Sequence, residues 1–343
     1  MIHLISPPRP TVRLVGITAA LTLVVGLAAC SSSPDAAPDG KDSLSVAMIT
    51  TSAVTTGDWD PATYAAFTKM ADKYGFEATN EDSVGYDQAE SVLARLAQTN
   101  DLVIATSAGY GASALSVAKK YPDTFFVVYA YLEDTEGLPN VAGFSSDWNE
   151  LGYIAGAVAC LSAEGKRIGH VNSEPIPAFT RFAGGIQQAA EEHCVGGAAS
   201  YLQTYINSFT DVSKAKQAAL QLIDQGAEVL IPTIDSAAAG VVEAANDKGS
   251  LLVMPYIDQS AVAPKAVVTS WLLNFEAQYD KIGELFSQGK LKAEIYPQNF
   301  ANGGISLVLP LKNVSDSINK KLQGVVDGLK SGKVKVEDRN LLP

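Results

Sequence analysis

Histidine and cysteine are scarce in this 343-residue chain, three of each, and where they stand removes several kinds of chemistry. Neither His170 nor His193 has neighbours spaced like metal ligands or triad partners, so no metal site and no catalytic residue is expected. There is no Gly-x-Ser-x-Gly elbow and no phosphate loop. Glu191-Glu192, the obvious carboxylate pair, reads as the solvated end of a helix. Charge is thin as well: 18% of residues are charged, 37 acids against 25 bases, for a formal net charge of −12. Nucleic-acid binding needs basic patches, so a nucleic-acid polymer is excluded as a partner. Beyond residue 29 no run of 18 uncharged apolar residues offers a membrane span. An enzyme is disfavoured, and no cofactor is implied.

What is present begins with a leader. Arg9 and Arg13 precede an apolar run from Leu14 to Ala29 that ends in small residues. The run is too short and wrongly flanked for a stable span and reads as a secretory signal. It closes on Leu27-Ala28-Ala29-Cys30, which resembles the lipobox of bacterial lipoproteins. There, small residues admit a signal peptidase, and the cysteine sulfur takes diacylglycerol. The resemblance implies a signal peptide over 1–29, lipidation at Cys30, and an anchor on the extracytoplasmic face of the cell membrane. Residues 30–43 are small, polar and proline-broken, and read as a flexible tether. Cleavage before Cys30 would remove two arginines and no acid, leaving 314 residues at a net charge of −14.

The remainder alternates β-branched runs with amphipathic ones. Strands are predicted at Leu44–Ile49, Leu102–Thr106, Phe125–Ala130, Arg167–Asn172, Glu228–Thr233, Leu251–Tyr256 and Ala266–Thr269. Helices are predicted at Pro61–Lys73, Gln88–Gln98, Ala112–Lys120, Lys214–Asp224 and Ala237–Lys248. In Gln88–Gln98, Ala89, Val92, Leu93 and Leu96 fall on a single face. Such alternation implies an α/β fold with parallel sheets covered by helices on both faces. A break near Ser145–Asn149, with a helix capped by Ser146 or Asp147, and a second crossing near Ser270–Asn274 divide the chain into two lobes. The N-terminal lobe is expected to hold 44–146 plus about 272–300, and the C-terminal lobe 147–271 plus about 301–343. A ligand cleft then lies between them, at the carboxyl ends of the strands. Cys160 and Cys194 end helical runs on either side of the strand Arg167–Asn172. A disulfide between them is expected, with two buried free thiols as the alternative.

Candidate site residues sit where strands hand over to helices. Asp58-Trp59-Asp60 precedes Pro61; Asp60 reads more as a helix cap than as a ligand contact. Trp59, an indole between two aspartates on a loop, is the better candidate for stacking on a ligand. Ser107 opens a segment whose Gly109-x-Gly111-x-x-Ala114 spacing resembles a dinucleotide fingerprint. The acid such a site needs about 20 residues on is absent, since position 129 is tyrosine. Asp235 follows a strand and can cap a helix or bind ligand. Tyr205 and Phe209 read as core, Trp148 and Trp271 as filling at the crossings, and Tyr110 as a possible cleft residue.

A family resemblance sharpens this. Asn149-Glu150-Leu151-Gly152-Tyr153-Ile154-Ala155-Gly156 resembles the helix opening the second lobe in the basic-membrane-protein family, lipoproteins that include purine nucleoside receptors of ABC importers. Lys166-Arg167-Ile168-Gly169, Glu174-Pro175-Ile176-Pro177, Phe182-Ala183-Gly184-Gly185, Ser208-Phe209-Thr210-Asp211, Lys214-Ala215-Lys216, Asp258-Gln259, Ala263-Pro264-Lys265 and Val268-Thr269-Ser270 follow in the family's order. The resemblance implies a two-lobed periplasmic-binding-protein type I fold, a small-molecule solute, a permease with its ATPase as partners, and a monomer. It also implies a departure in the ligand. Thr56-Gly57-Asp58-Trp59-Asp60 stands where nucleoside binders carry aspartate and Phe-Asn. Tyr129 and Tyr256 stand for aspartates, and Leu273 for a lysine. Losing the groups that hold ribose hydroxyls while gaining aromatic surface points to a free nucleobase or similar planar solute, with a nucleoside second. The ligand-binding set is therefore Trp59, Asp60, Ser107, Tyr129, Asp235 and Tyr256. The same lobes could also serve a sensing lipoprotein that signals through a membrane partner.

Overall fold

The computed structural model describes residues 43–163 and 167–343; the signal peptide, Cys30 and nearly all of the expected tether lie outside the described residues. The first block runs β1 (Ser45–Ile49), α1 (Trp59–Tyr74), β2 (Glu77–Glu81), α2 (Ala89–Leu96), β3 (Leu102–Ala105), α3 (Gly111–Ala118), β4 (Phe125–Ala130) and β5 (Val141–Ser146). The second runs α4 (Trp148–Ser162), β6 (Arg167–Asn172), α5 (Pro177–His193), β7 (Tyr201–Tyr205), α6 (Val212–Asp224), β8 (Ala227–Thr233), α7 (Ala238–Lys248), β9 (Leu251–Met254) and β10 (Val267–Leu273). The chain closes with α8 (Phe275–Ser287), β11 (Ile295–Gln298), β12 (Ile305–Leu307) and α9 (Asp316–Lys330).

These strands form two six-stranded sheets, ordered β11-β5-β4-β3-β1-β2 and β12-β10-β9-β8-β6-β7. The α/β reading holds: the strand pairings are parallel, except that β12 runs antiparallel to β10. Helices on both faces explain the unbroken apolar runs at the sheet centres. Leu102, Val103 and Ile104 of β3 and Phe126, Val127 and Val128 of β4 are fully buried, as interior parallel strands are. In each sheet the order reverses at one place, between β1 and β3 and between β6 and β8. Loops leaving the carboxyl ends of such a pair diverge to opposite faces and open a crevice.

The chain crosses between the sheets after β5, and α4 begins at once. Of the two predicted caps it is Asp147 that acts: its carboxylate accepts from the Glu150 amide at 2.9 Å, satisfying a first-turn donor. A Cβ on Gly152 would stand 1.9 Å from the Phe182 carbonyl, and one on Gly185 2.1 Å from that of Asn149. Only glycine allows α4 and α5 this close. At their far ends Cys160 and Cys194 are joined, with Cα atoms 4.8 Å apart. The C-terminal tail lies along the same pair: Asn149 Nδ2 donates to the Arg339 carbonyl at 2.8 Å, and the Leu341 amide to that of Thr180 at 3.0 Å. The helix α8 packs on α1, and α9 on α4. Among the described residues no helix is long and apolar enough to cross a membrane.

Candidate functional site

Both crevices open on one narrow cleft. The first sheet contributes Thr51 and Trp59 from the segment after β1, Ser107 after β3, and Ala130 at the end of β4. The second contributes Ile176 before α5, Phe179 in its first turn, Phe209 after β7, Asp235 after β8 and Tyr256 after β9. Trp148, at the crossing, lies between them. Every one of these positions lies at a strand's carboxyl end, in the segment that leaves it, or in the first turn of the helix that follows, which is where the topology places a ligand.

Aromatic rings set the character of the walls. Trp59 meets Tyr256 edge-on with ring centroids 5.1 Å apart, and lies 5.9 Å from Tyr129 and 6.4 Å from Trp148. Trp148 in turn meets Phe179 edge-on at 5.6 Å, and Phe179 lies 6.1 Å from Phe209. The web therefore runs from one sheet to the other, in the tilted and edge-on geometries that aromatic quadrupoles favour. The Trp148 indole donates to the Ala130 carbonyl at 2.9 Å, so that ring is fixed. Two wall residues, Ala130 at φ 78° and Tyr256 at φ 70°, hold left-handed backbone without being glycine. Strain of that kind persists only where packing over-determines it, and it concentrates at functional sites.

The polar side chains lining the cleft are few, Thr51, Ser107 and Asp235, and one of them is acidic. Asp235 is expected from its position to cap a helix, and it does, but not the one that follows it. Its Oδ1 accepts from the amides of Asp58 and Trp59, at 2.7 and 3.2 Å, at the start of α1 on the opposite sheet. A carboxylate at a helix N-terminus is favourable, and this one holds the two walls together. Its Oδ2 is buried and without a hydrogen-bond partner. Asp60 is not a cap: α1 begins at Trp59, and the Asp60 carboxylate turns back to accept from the Ser52 amide at 2.8 Å and the Thr51 hydroxyl at 3.1 Å. Burial, then the negative charge of Asp235, push Asp60 up to about 7 and Asp58 up to about 6. Burial also raises Asp235, against the pull of the amides it binds. Among the described residues no lysine, arginine or histidine lines the cleft, and no group of three or more His, Cys, Asp or Glu could hold a metal ion.

Of the six residues expected at a ligand site, Trp59, Ser107, Asp235 and Tyr256 line the cleft. Asp60 and Tyr129 stand behind the wall, both fully buried; Tyr129 packs between Trp59, Phe275 and Tyr279. Leu273 is buried in β10. Tyr110 is buried and donates to the Val84 carbonyl at 2.6 Å, away from the cleft. Sequence reasoning passed over Thr51, Ile176 and Phe179, and it read Phe209 and Trp148 as filling. Both reach the cleft. The signal that could have found Phe179 and Phe209 is their place just past β6 and β7, equivalent to Trp59 past β1.

A family model described as "ABC transporter substrate-binding protein PnrA-like" matches residues 43–340. The chain is 25% identical over 247 residues to a purine-binding protein of Brucella abortus, covering 72% of this chain and 68% of that one. It is 28% identical over 214 residues to a Haloferax volcanii protein provisionally named an ABC transporter glucose-binding protein, covering 62% of this chain and about half, 53%, of that one. An ABC transporter solute-binding protein from Aeropyrum pernix superposes with a TM-score of 0.74 at 17% identity, over 86% of this chain and 93% of its own. That likeness speaks for the fold alone.

Proposed function

Because the chain belongs to the PnrA-like family of ABC transporter substrate-binding proteins, we propose that its cleft captures a flat heterocyclic solute, a free nucleobase ahead of a nucleoside. The observation that carries this reading is the cleft's make-up. Trp59, Trp148, Phe179, Phe209 and Tyr256 face it from both sheets, against three polar side chains, Thr51, Ser107 and Asp235. Flat rings bury well between aromatic faces, with a few polar groups reading their edge. A sugar needs many hydrogen bonds and finds few here. The relative named for purine binding supports the same choice.

Capture then works by closure of two lobes, 44–146 with about 272–300 and 147–271 with about 301–343. The division is supported by β11 and β12 joining different sheets. Solute binds the closed form better and so shifts the balance towards it. Lipidation at Cys30 holds the protein on the extracytoplasmic face of the membrane, the tether lets it move, and a permease with its ATPase receives the solute. The ligand-contacting side chains are Trp59, Ser107, Asp235 and Tyr256, with Asp60 and Tyr129 supporting Trp59 from behind.

A thermal-shift comparison of free bases with their ribonucleosides, on residues 31–343, tests the ligand class. Any solute at 100 times its Kd adds about 2.7 kcal/mol of stability. Bases are expected to shift the melting temperature more than nucleosides at equal concentration. Equal or larger nucleoside shifts contradict a pocket without ribose-holding groups.

A further inference from the structure

Beyond its aromatic faces, the polarity of the cleft narrows the ligand further. Of its polar side chains, Thr51 has committed its hydroxyl proton to Asp60 at 3.1 Å. Ser107 Oγ shares a proton with Tyr86 OH at 2.8 Å and accepts from the Gly109 amide, so it can serve a ligand either way. Asp235 has no such freedom. It lines the cleft and is 5% exposed, its Oδ1 is held by the two amides at the start of α1, and its Oδ2 is buried with no hydrogen-bond partner. An ionised carboxylate only accepts, and a buried acceptor left unmatched is costly. The negative charge of Asp235 is felt on the same side by Asp58 and Asp60, whose carboxyls it helps to raise, and no cation is among the lining residues described. The π-faces of Trp59 and Trp148 also favour electron-poor or positively charged partners.

We propose that Asp235 Oδ2 determines specificity, selecting planar bases that present an amino group or a protonated ring nitrogen over bases whose edge there carries a carbonyl oxygen. The proposal rests on the nucleobase reading and adds the chemical class within it. A carbonyl placed at Oδ2 sets two acceptors against each other in a desolvated site, whereas an amino group makes a charge-assisted bond. Adenine and hypoxanthine are the sharpest pair, since they share a skeleton and exchange amino for oxo at one carbon.

The test is calorimetric titration of residues 31–343 and of Asp235→Asn with both bases. The wild-type protein is expected to bind adenine at least tenfold tighter than hypoxanthine. In D235N the side-chain oxygen can stay with the α1 amides, which turns a donor NH₂ into the cleft. The preference is then expected to vanish or invert, a result that mere loosening of the cleft does not give. A wild-type preference below tenfold overturns the inference, even if D235N fails to fold. A ratio unchanged in D235N overturns the assignment to Asp235. If neither base binds while a sugar or amino acid does, the nucleobase reading itself has failed; two bases bound equally well leave that reading standing and remove only this inference.

Discussion

Asp60→Asn is expected to stabilise the solute-free protein by about 4 kcal/mol at pH 8 and by less than half of that at pH 5. Asp60 is fully buried, and its carboxyl is raised from the ordinary 3.8 to about 7 by desolvation and then by the charge of Asp235, against bonds from Ser52 and Thr51 that lower it. A folded-state value above the unfolded one means that the native protein keeps a proton which the unfolded chain has released. Stability therefore falls as pH rises from about 4 to about 7 and stays low above that. Asparagine preserves an oxygen for the Ser52 amide and the Thr51 hydroxyl. It also replaces Oδ1, buried without a partner, by a neutral group. His170 works in the opposite sense. It is buried and held down to about 3, so stability falls as pH drops through its unfolded value of 6.5. Between about pH 4 and 6.5 the two contributions oppose each other, so only the difference between D60N and wild type isolates Asp60. Urea unfolding of both proteins at pH 5 and pH 8 measures that difference. A D60N protein no more stable than wild type at pH 8 contradicts a carboxyl raised by burial at Asp60.

The second large effect lies at the other end of α4 and α5. Removing the disulfide by the double change Cys160→Ala and Cys194→Ala is expected to cost about 4 kcal/mol on the chain-entropy model, because the bond closes a loop with a separation of 34 residues. At about 2 °C per kcal/mol for a chain of this size, the melting temperature should fall by roughly 8 °C. The cysteines follow the carboxyl ends of helices whose amino ends carry Trp148 and Phe179 to the cleft. Solute affinity should therefore stay within about twofold at temperatures where the variant is folded. A stability loss below 1 kcal/mol, or affinity falling along with stability, contradicts this separation of staple from site.

Periodicity made the interior of both sheets legible. Phe125–Ala130 is a strand with the predicted bounds, because a buried parallel strand needs a continuous apolar run; Arg167–Asn172 also has the predicted bounds, although Gly169 and His170 interrupt its apolar residues. The edges were not legible. The strand β2 reads Glu-Ala-Thr-Asn-Glu and is exposed or half-buried throughout; β12 is three residues long. Such strands are set by their neighbours' register rather than by their own pattern. The helix α1 begins two residues before its proline, since Asp235 from the opposite sheet supplies its cap. No local rule can see a cap that arrives from 177 residues away. The same limit governs the cleft. Trp59 and Asp235 stand out singly as polar-flanked or strand-terminal residues. Ile176 and Phe179 become wall residues only when the second sheet faces the first. Tyr129 looked like a contact residue, but it precedes Ala130, whose left-handed backbone belongs to the turn that places Tyr129 under Trp59.

The most direct measurement is a calorimetric titration of residues 31–343 with adenine and with glucose, repeated on Trp59→Ala. Saturable adenine binding is expected at one site per chain, at least about 100-fold weaker in W59A, where a buried stacking ring is lost, with no saturable heat from glucose. Saturation by glucose without adenine, or adenine binding that W59A leaves intact, would contradict that expectation.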